Sequence, residues 1–179
     1  MSVTATNLIQ GPAAMYIADF GSTEPTTIDA SPDVDYTDVG GTMDGTTLSI
    51  ADEYQILNVD QIIYEMGRVR SGRAVSVKTS LAEATLDNLA HAINNTAPVS
   101  NVLEGDDGVA AFRPAYKALI IDGLAPGGFR RRITLRKVLQ IDTVETSYKK
   151  DGQTLFPVNF AIHWISASIK PFKIEDAIA

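Results

Sequence analysis

Between residues 73 and 94 the chain changes its hydrophobic period. Val75, Val77 and Leu81 alternate with Ser76, Lys78 and Ser80, the two-residue repeat of a strand with one buried and one wet face. Past Glu83, Leu86, Leu89, Ala90 and Ile93 recur at the spacing of one helical stripe. The pattern predicts a helix over 85–94, with Thr85 as N-cap and Asn94-Asn95, ahead of Pro98, as the stop. No other stretch has so clear a helical pattern. Strands must therefore build the core, and the helix must flank them.

The remaining apolar runs are strand-like. Residues 13–20 are apolar on both faces, which predicts cover from the chain itself on one side and from a neighbour on the other. Residues 46–50 and 54–63 flank Ala51-Asp52-Glu53 and read as a hairpin or extended arm turning there. Ser71-Gly72, among Arg68, Arg70 and Arg73, reads as a turn into the strand that follows. Residues 116–122 form a short strand and 125–128 a turn. The long strand over 129–141 places Ile133, Leu135, Leu139 and Ile141 on one face, and Arg130, Arg132, Thr134, Arg136 and Gln140 on the other. Residues 143–152 are charged and read as a connection or short helix. Residues 154–165 close the core with Phe156, Val158, Phe160, Ile162 and Trp164, and Pro157 places the start of that strand at an edge.

Two segments lack a period, 21–36 and 97–108, and read as surface loops. The expected fold is mainly β: an antiparallel β-sandwich or partly open barrel with one flanking α-helix and an extended loop or hairpin arm. A chain of 179 residues is expected to form one domain over 1–179, with the loop and arm region at 21–54 and the helix at 85–94.

Charge changes this picture by its distribution. No Lys or Arg occurs before Arg68, whereas eleven acidic residues do; all 15 basic residues follow, with the other eleven acids, to give −7 overall. So polarised a chain can attract a copy of itself, acidic part to basic part. Cysteine is absent, which removes disulfides and thiolate metal sites and fits a reducing compartment. No apolar run approaches the roughly 20 residues that span a bilayer, and no export segment is expected.

Chemistry is scarce. Nucleophilic catalysis needs a nucleophile, a base and an orienting group, and the only histidines, His91 and His163, read as surface or interface residues. No enzyme, cofactor or metal is expected. The glycines of 38–45 lack the Gly-Lys-Ser/Thr ending of a phosphate loop and read as turn residues. Gly105-Asp106-Asp107-Gly108 lacks the further ligands of a calcium loop and reads as a solvated acidic turn. The dense basic run Arg130-Arg131-Arg132 with Arg136 and Lys137 has few aromatics beside it for stacking on nucleic acid, and it sits in an acidic protein; it reads as a face for an acidic partner surface.

Gly40-Gly41-Thr42 through Thr46-Thr47-Leu48-Ser49, the run Tyr54-Gln55-Ile56-Leu57-Asn58-Val59-Asp60-Gln61, the run 75–83 and the helix from Leu86 to Ile93 together resemble the tail tube proteins of long-tailed bacteriophages. The likeness covers residues 39–94 well, and the closing strands in order and length. It implies a structural subunit of the virion tail, assembled in the host bacterial cytoplasm. Six copies would form a ring, and rings would stack head-to-tail into a hollow tube for double-stranded DNA. It further implies contact with tape-measure and tail-terminator or tail-tip proteins, and no membrane insertion by this chain. Two alternatives stand beside it: the inner tube of a contractile or secretion-type injection machine, and a monomeric β-sandwich binding module.

Within that resemblance the loop that contacts the next ring falls near Gly41, Asp44, Asp52, Glu53 and Tyr54. A conduit for DNA should be polar to acidic, because a basic wall would hold phosphates through counterion release. Asn58, Asp60, Ser76 and Ser80 are the expected lumen residues, with Lys78 on the same face. Arg68, Arg70, Arg132 and Arg136 are the expected basic subunit contacts.

Overall fold

The computed structural model describes residues 3–105 and 112–177. Its elements are β1 (Ala14–Asp19), β2 (Thr37–Asp38), β3 (Thr42–Leu57), β4 (Gly67–Leu81), α1 (Leu86–Ala92), β5 (Lys117–Leu124), β6 (Arg130–Gln140), β7 (Phe156–Ile162) and β8 (Phe172–Asp176). All strand pairs are antiparallel and join in one sheet of order β2-β1-β5-β6-β7-β4-β3, with β8 added to β6 off this path. The fold is mainly β with a single α-helix among the described residues, and the sheet does not close into a barrel.

Period-two alternation explains β4, where Val75, Val77, Thr79 and Leu81 are buried and Ser76, Lys78 and Ser80 lie on the other face. The core gathers Met15 and Ile17 of β1, Val77 and Leu81 of β4, Leu119 and Ile121 of β5, Leu135 and Val138 of β6, and Phe156, Val158 and Phe160 of β7. Since β1 and β4 are separated along the sheet by β5, β6 and β7, the sheet must wrap around this cluster.

Helix α1 follows its Thr85 cap, whose hydroxyl accepts from the Asn88 N–H. It ends in a Schellman arrangement: Asn94 takes a left-handed φ of 54°, and the Asn95 N–H donates to Ala90 O at 2.9 Å. Its buried residues are Asn88, Ala90 and Ala92, while Leu86 and Ile93 of the expected stripe are exposed. The reason is Asn88. Its amide donates to Val39 O and Glu83 O, both at 2.9 Å, and this rotates the helix about its axis relative to the apolar stripe.

Strand β6 also departs from simple alternation. Leu119 faces Leu135 and Lys117 faces Val138, so β6 holds one extra residue around Arg136-Lys137. The bulge shifts the phase: Ile133 and Leu135 point to the core before it, Val138 after it, and Leu139 and Ile141 turn away. It also splits the edge. Residues 131–135 pair with β8 and residues 138–140 with β7, so the sheet forks here. Strand β8 has no counterpart in the sequence reading, and residues 143–152 form a connection without a helix, closed by one bridge between Lys149 and Gly152.

The second face of β1 is covered by the chain's own residues, which corrects the expectation of a neighbour. Tyr36, Ala118 and Ile120 form a small cluster with Tyr16 and Ala18. The segment 20–36 crosses this face as a strap, with a 3₁₀ turn at Pro32–Val34 capped by the Ser31 hydroxyl. Three arginines of β6 hold it. Arg130 donates to Ile28 O, Arg132 to Thr27 O, and Arg136 pairs with Glu24. The expected acidic turn at residues 105–108 lies largely outside the described residues.

Candidate assembly surface

The feature that sets this molecule apart is the hairpin of β3 and β4. β4 pairs with β7 only from Ser76 to Leu81, while its pairing with β3 continues out to Leu57 opposite Gly67. Beyond Ile50 and Val75 the two strands have only each other, and this arm runs roughly 20 Å at the usual strand rise. The chain reverses at residues 58–66. Ala51-Asp52-Glu53 is therefore continuous strand, and Ser71 is a bulge between the pairs Glu53–Gly72 and Tyr54–Arg70. A second irregularity lies at the base of the arm, where Asp44 (φ 65°) and Gly45 (φ 74°) take left-handed conformations and the Thr79 hydroxyl donates to Gly45 O.

One face of the arm continues the core: Leu48 and Val77, then Ile50 and Val75, then Asp52 opposite Arg73 and Tyr54 opposite Arg70. Asp52 is the hub of a charged cluster. It accepts two bonds from Arg73, at 2.5 and 2.9 Å, lies 3.2 Å from Arg70, and accepts from the Tyr54 hydroxyl. The Arg73 hydrogen bonds, reinforced by the charge of Arg70, pull the Asp52 carboxyl down to about 2. Arg70 also sits over the Tyr54 ring, 6.0 Å from its centroid. The opposite face is small and polar near the sheet, with Ser49 beside Ser76, Thr47 beside Lys78 and Ser80 beside Pro157.

Toward its end the arm is apolar and bare. Ile50, Tyr54, Ile56, Leu57, Val59, Ile62, Tyr64, Met66 and Val69 are all exposed, and Ile63 is fully so at 101%. Two strands alone are at most marginally stable in water, and monomers rarely expose so continuous an apolar stretch. β3 also forms one margin of the sheet, with no strand on its outer side among the described residues.

The geometry redistributes the sequence-predicted sites. Asn58 and Asp60 lie in the loop at the arm's end, whereas Ser76 and Ser80 lie on β4 within the sheet, so the four do not form one wall. Asp52, Glu53 and Tyr54 are on the arm, but Gly41 and Asp44 are at its base. Arg68 and Arg70 are exposed on the arm, Arg68 bonded to Glu65 at 2.5 and 3.1 Å. Arg132 is only 2% exposed and Arg136 is held by Glu24, so these two serve the strap and not an outside surface.

The charge polarity of the sequence is met in part within the chain. Acids of the first third pair with bases that follow: Asp52 with Arg73, Glu65 with Arg68, Glu24 with Arg136, and Asp19 with Lys117 at 2.7 Å. Within the basic run, Arg131 pairs with Asp176 and Arg132 with Asp122. His91 is half-buried at α1, and burial, with Lys117 nearby, lowers its pKa, which favours the neutral ring. The arm also leaves a broad apolar area bare, a feature that sequence charge patterns do not report. Comparison with protein-family models finds no match, and comparison with curated proteins finds none either.

Proposed function

We propose that this chain is a structural subunit that polymerises through its β3–β4 arm into a hollow tube, the role implied by its resemblance to phage tail tube proteins. The observation that carries this reading is the continuous bare apolar arm, from Ile50 to Val69. Burying apolar surface at about 25 cal/mol per Å² gives such an arm a strong drive toward a partner. A single arm that meets a different patch on the next copy propagates an open-ended assembly rather than a closed dimer.

Two further features support it. The face with Ser49, Ser76 and Ser80 suits a channel wall, since small polar side chains do not hold phosphates, and its Lys78 is 3.8 Å from Asp142. No helix of the described residues is long and apolar enough to cross a membrane, so the exposed apolar area is not part of a helical span. Six-fold rings, DNA passage and contact with other tail components rest on the resemblance. Such a role calls for no catalysis.

Light scattering and negative-stain electron microscopy test the reading. The purified chain should form rings or tubes as concentration rises, and Ile62→Asp with Ile63→Asp should stop this while leaving the circular dichroism spectrum unchanged. A wild-type chain that stays monomeric at high concentration overturns it.

A further inference from the structure

The core-facing side of the sheet opens at the fork into an apolar groove of about 400 Å³. Val75 of β4, Ile162 at the end of β7, and Pro171 and Phe172 at the start of β8 line it, and Trp164, 71% exposed, stands at its side. We propose that this groove receives the arm tip of a second copy of the chain, with Ile63 and Tyr64 as the inserted residues. The proposal rests on the reading of the chain as a self-assembling subunit and names where one copy meets the next.

Three observations carry it. First, the tip cannot fill its own groove. Val75 lies nine residues from Met66 along a strand that stays paired out to Gly67, a separation of about 30 Å held by the ladder. An arm tip seated here must come from another molecule. Second, the chemistry matches. The tip offers Ile62, Ile63, Tyr64 and Met66, and the groove offers mainly aliphatic and aromatic walls, with Arg73, already paired to Asp52, and Lys170 at its margins.

Third, the polar groups left over on the two sides complement each other. Among the described residues Asp60 at the tip has no ion pair, and Lys170 at the groove rim makes only a 3.4 Å bond to Ala167 O. Tip and groove are different patches of one chain, so the contact repeats without closing.

The chain has no cysteine, so introduced thiols report this contact alone. Ile63→Cys and Lys170→Cys both fall at exposed positions and should leave the fold intact. Under mild oxidation the double variant should give a ladder of covalent multimers on a non-reducing gel, and each single variant should give none. Trp164, the only tryptophan, should shift its emission to shorter wavelength as wild-type chains assemble, and this shift should vanish in Ile63→Asp. Rings or tubes seen by microscopy without a ladder and without a Trp164 shift overturn the groove assignment and leave the self-assembly reading standing. A chain that never assembles overturns both.

Discussion

Arg132 holds Asp122 across the β5–β6 pair through two hydrogen bonds of 2.7 Å, from Nε to Oδ1 and from Nη2 to Oδ2. Its third nitrogen, Nη1, donates to Thr27 O at 3.1 Å, so one guanidinium ties two strands to the strap. Fork-to-fork geometry suits a buried pair, because it leaves few donors unmet.

Removing one partner alone should therefore be costly. Arg132→Ala leaves Asp122 in a largely covered position with only the more distant Arg130, 3.9 Å away, and a loss of about 3 kcal/mol is expected in denaturant unfolding. The double variant Arg132→Met with Asp122→Leu should recover most of it. A loss in the double variant equal to that in the single would place the effect in packing rather than charge.

Tyr36 anchors the strap from beneath. Burial above all, with the Glu24 charge added, pushes its hydroxyl up to about 12 from an ordinary 10. The folded chain thus holds this proton more tightly than the unfolded one. The contribution is complete below about pH 10 and is lost as pH rises toward 12. Unfolding followed along an alkaline titration should begin in that window, and Tyr36→Phe should delay it.

Asp52 gives the opposite sign at the acid end. Its folded carboxyl titrates at about 2, below the ordinary 3.8, so the arm gains from it above about pH 4 and loses that gain as pH falls through 2. Amide exchange should show the paired residues 52–57 and 67–73 losing protection in this range. Asp52→Asn should show the same loss at neutral pH, with the core amides unaffected.

Asn88 is the polar residue that orients α1. Asn88→Ala strands Val39 O and Glu83 O, and a cost of about 1–3 kcal/mol is expected from those unmet carbonyls. Thermal unfolding measures it, and Thr85→Ala, about 1 kcal/mol through the lost cap, is a useful comparison.

Salt discriminates how copies would meet. Asp52 and Glu65 of the arm are already paired in cis, and the larger exposed feature of the arm is its apolar area, so tubes formed in dilute buffer should persist near 1 M salt, where screening acts within about 3 Å. Dissolution of the tubes by moderate salt would return the acidic and basic halves to the role their distribution suggested.

Much of this fold is legible from short-range pattern. The alternation of β4, the Thr85 cap and the Asn94 stop each follow from local chemistry, and they suffice to identify a mainly β chain with one flanking helix. The failures share a cause in non-local pairing. A bulge at Arg136-Lys137 leaves no mark on the apolar pattern, yet it sends Val138 inward and Leu139 outward. Strand β8 is only five residues long and takes its place from β6. Residues 20–36 have no period because the arginines of β6, the Glu24 carboxylate and the buried Tyr36 ring fasten them, not a repeating apolar face. Ala51-Asp52-Glu53 imitates a turn, since three polar or small residues interrupt an apolar run. Its true partners, Gly72, Arg73 and Ala74, are visible only if the reversal is centred near residue 62, which then sets Asp52 across from Arg73.

The sheet has unequal margins: two residues of β2 on one side, sixteen of β3 on the other. Any object that grows by adding strands to this molecule inherits that inequality. It has a front and a back, a sense of travel along its axis, and an end that finishes it differently from the end that began it.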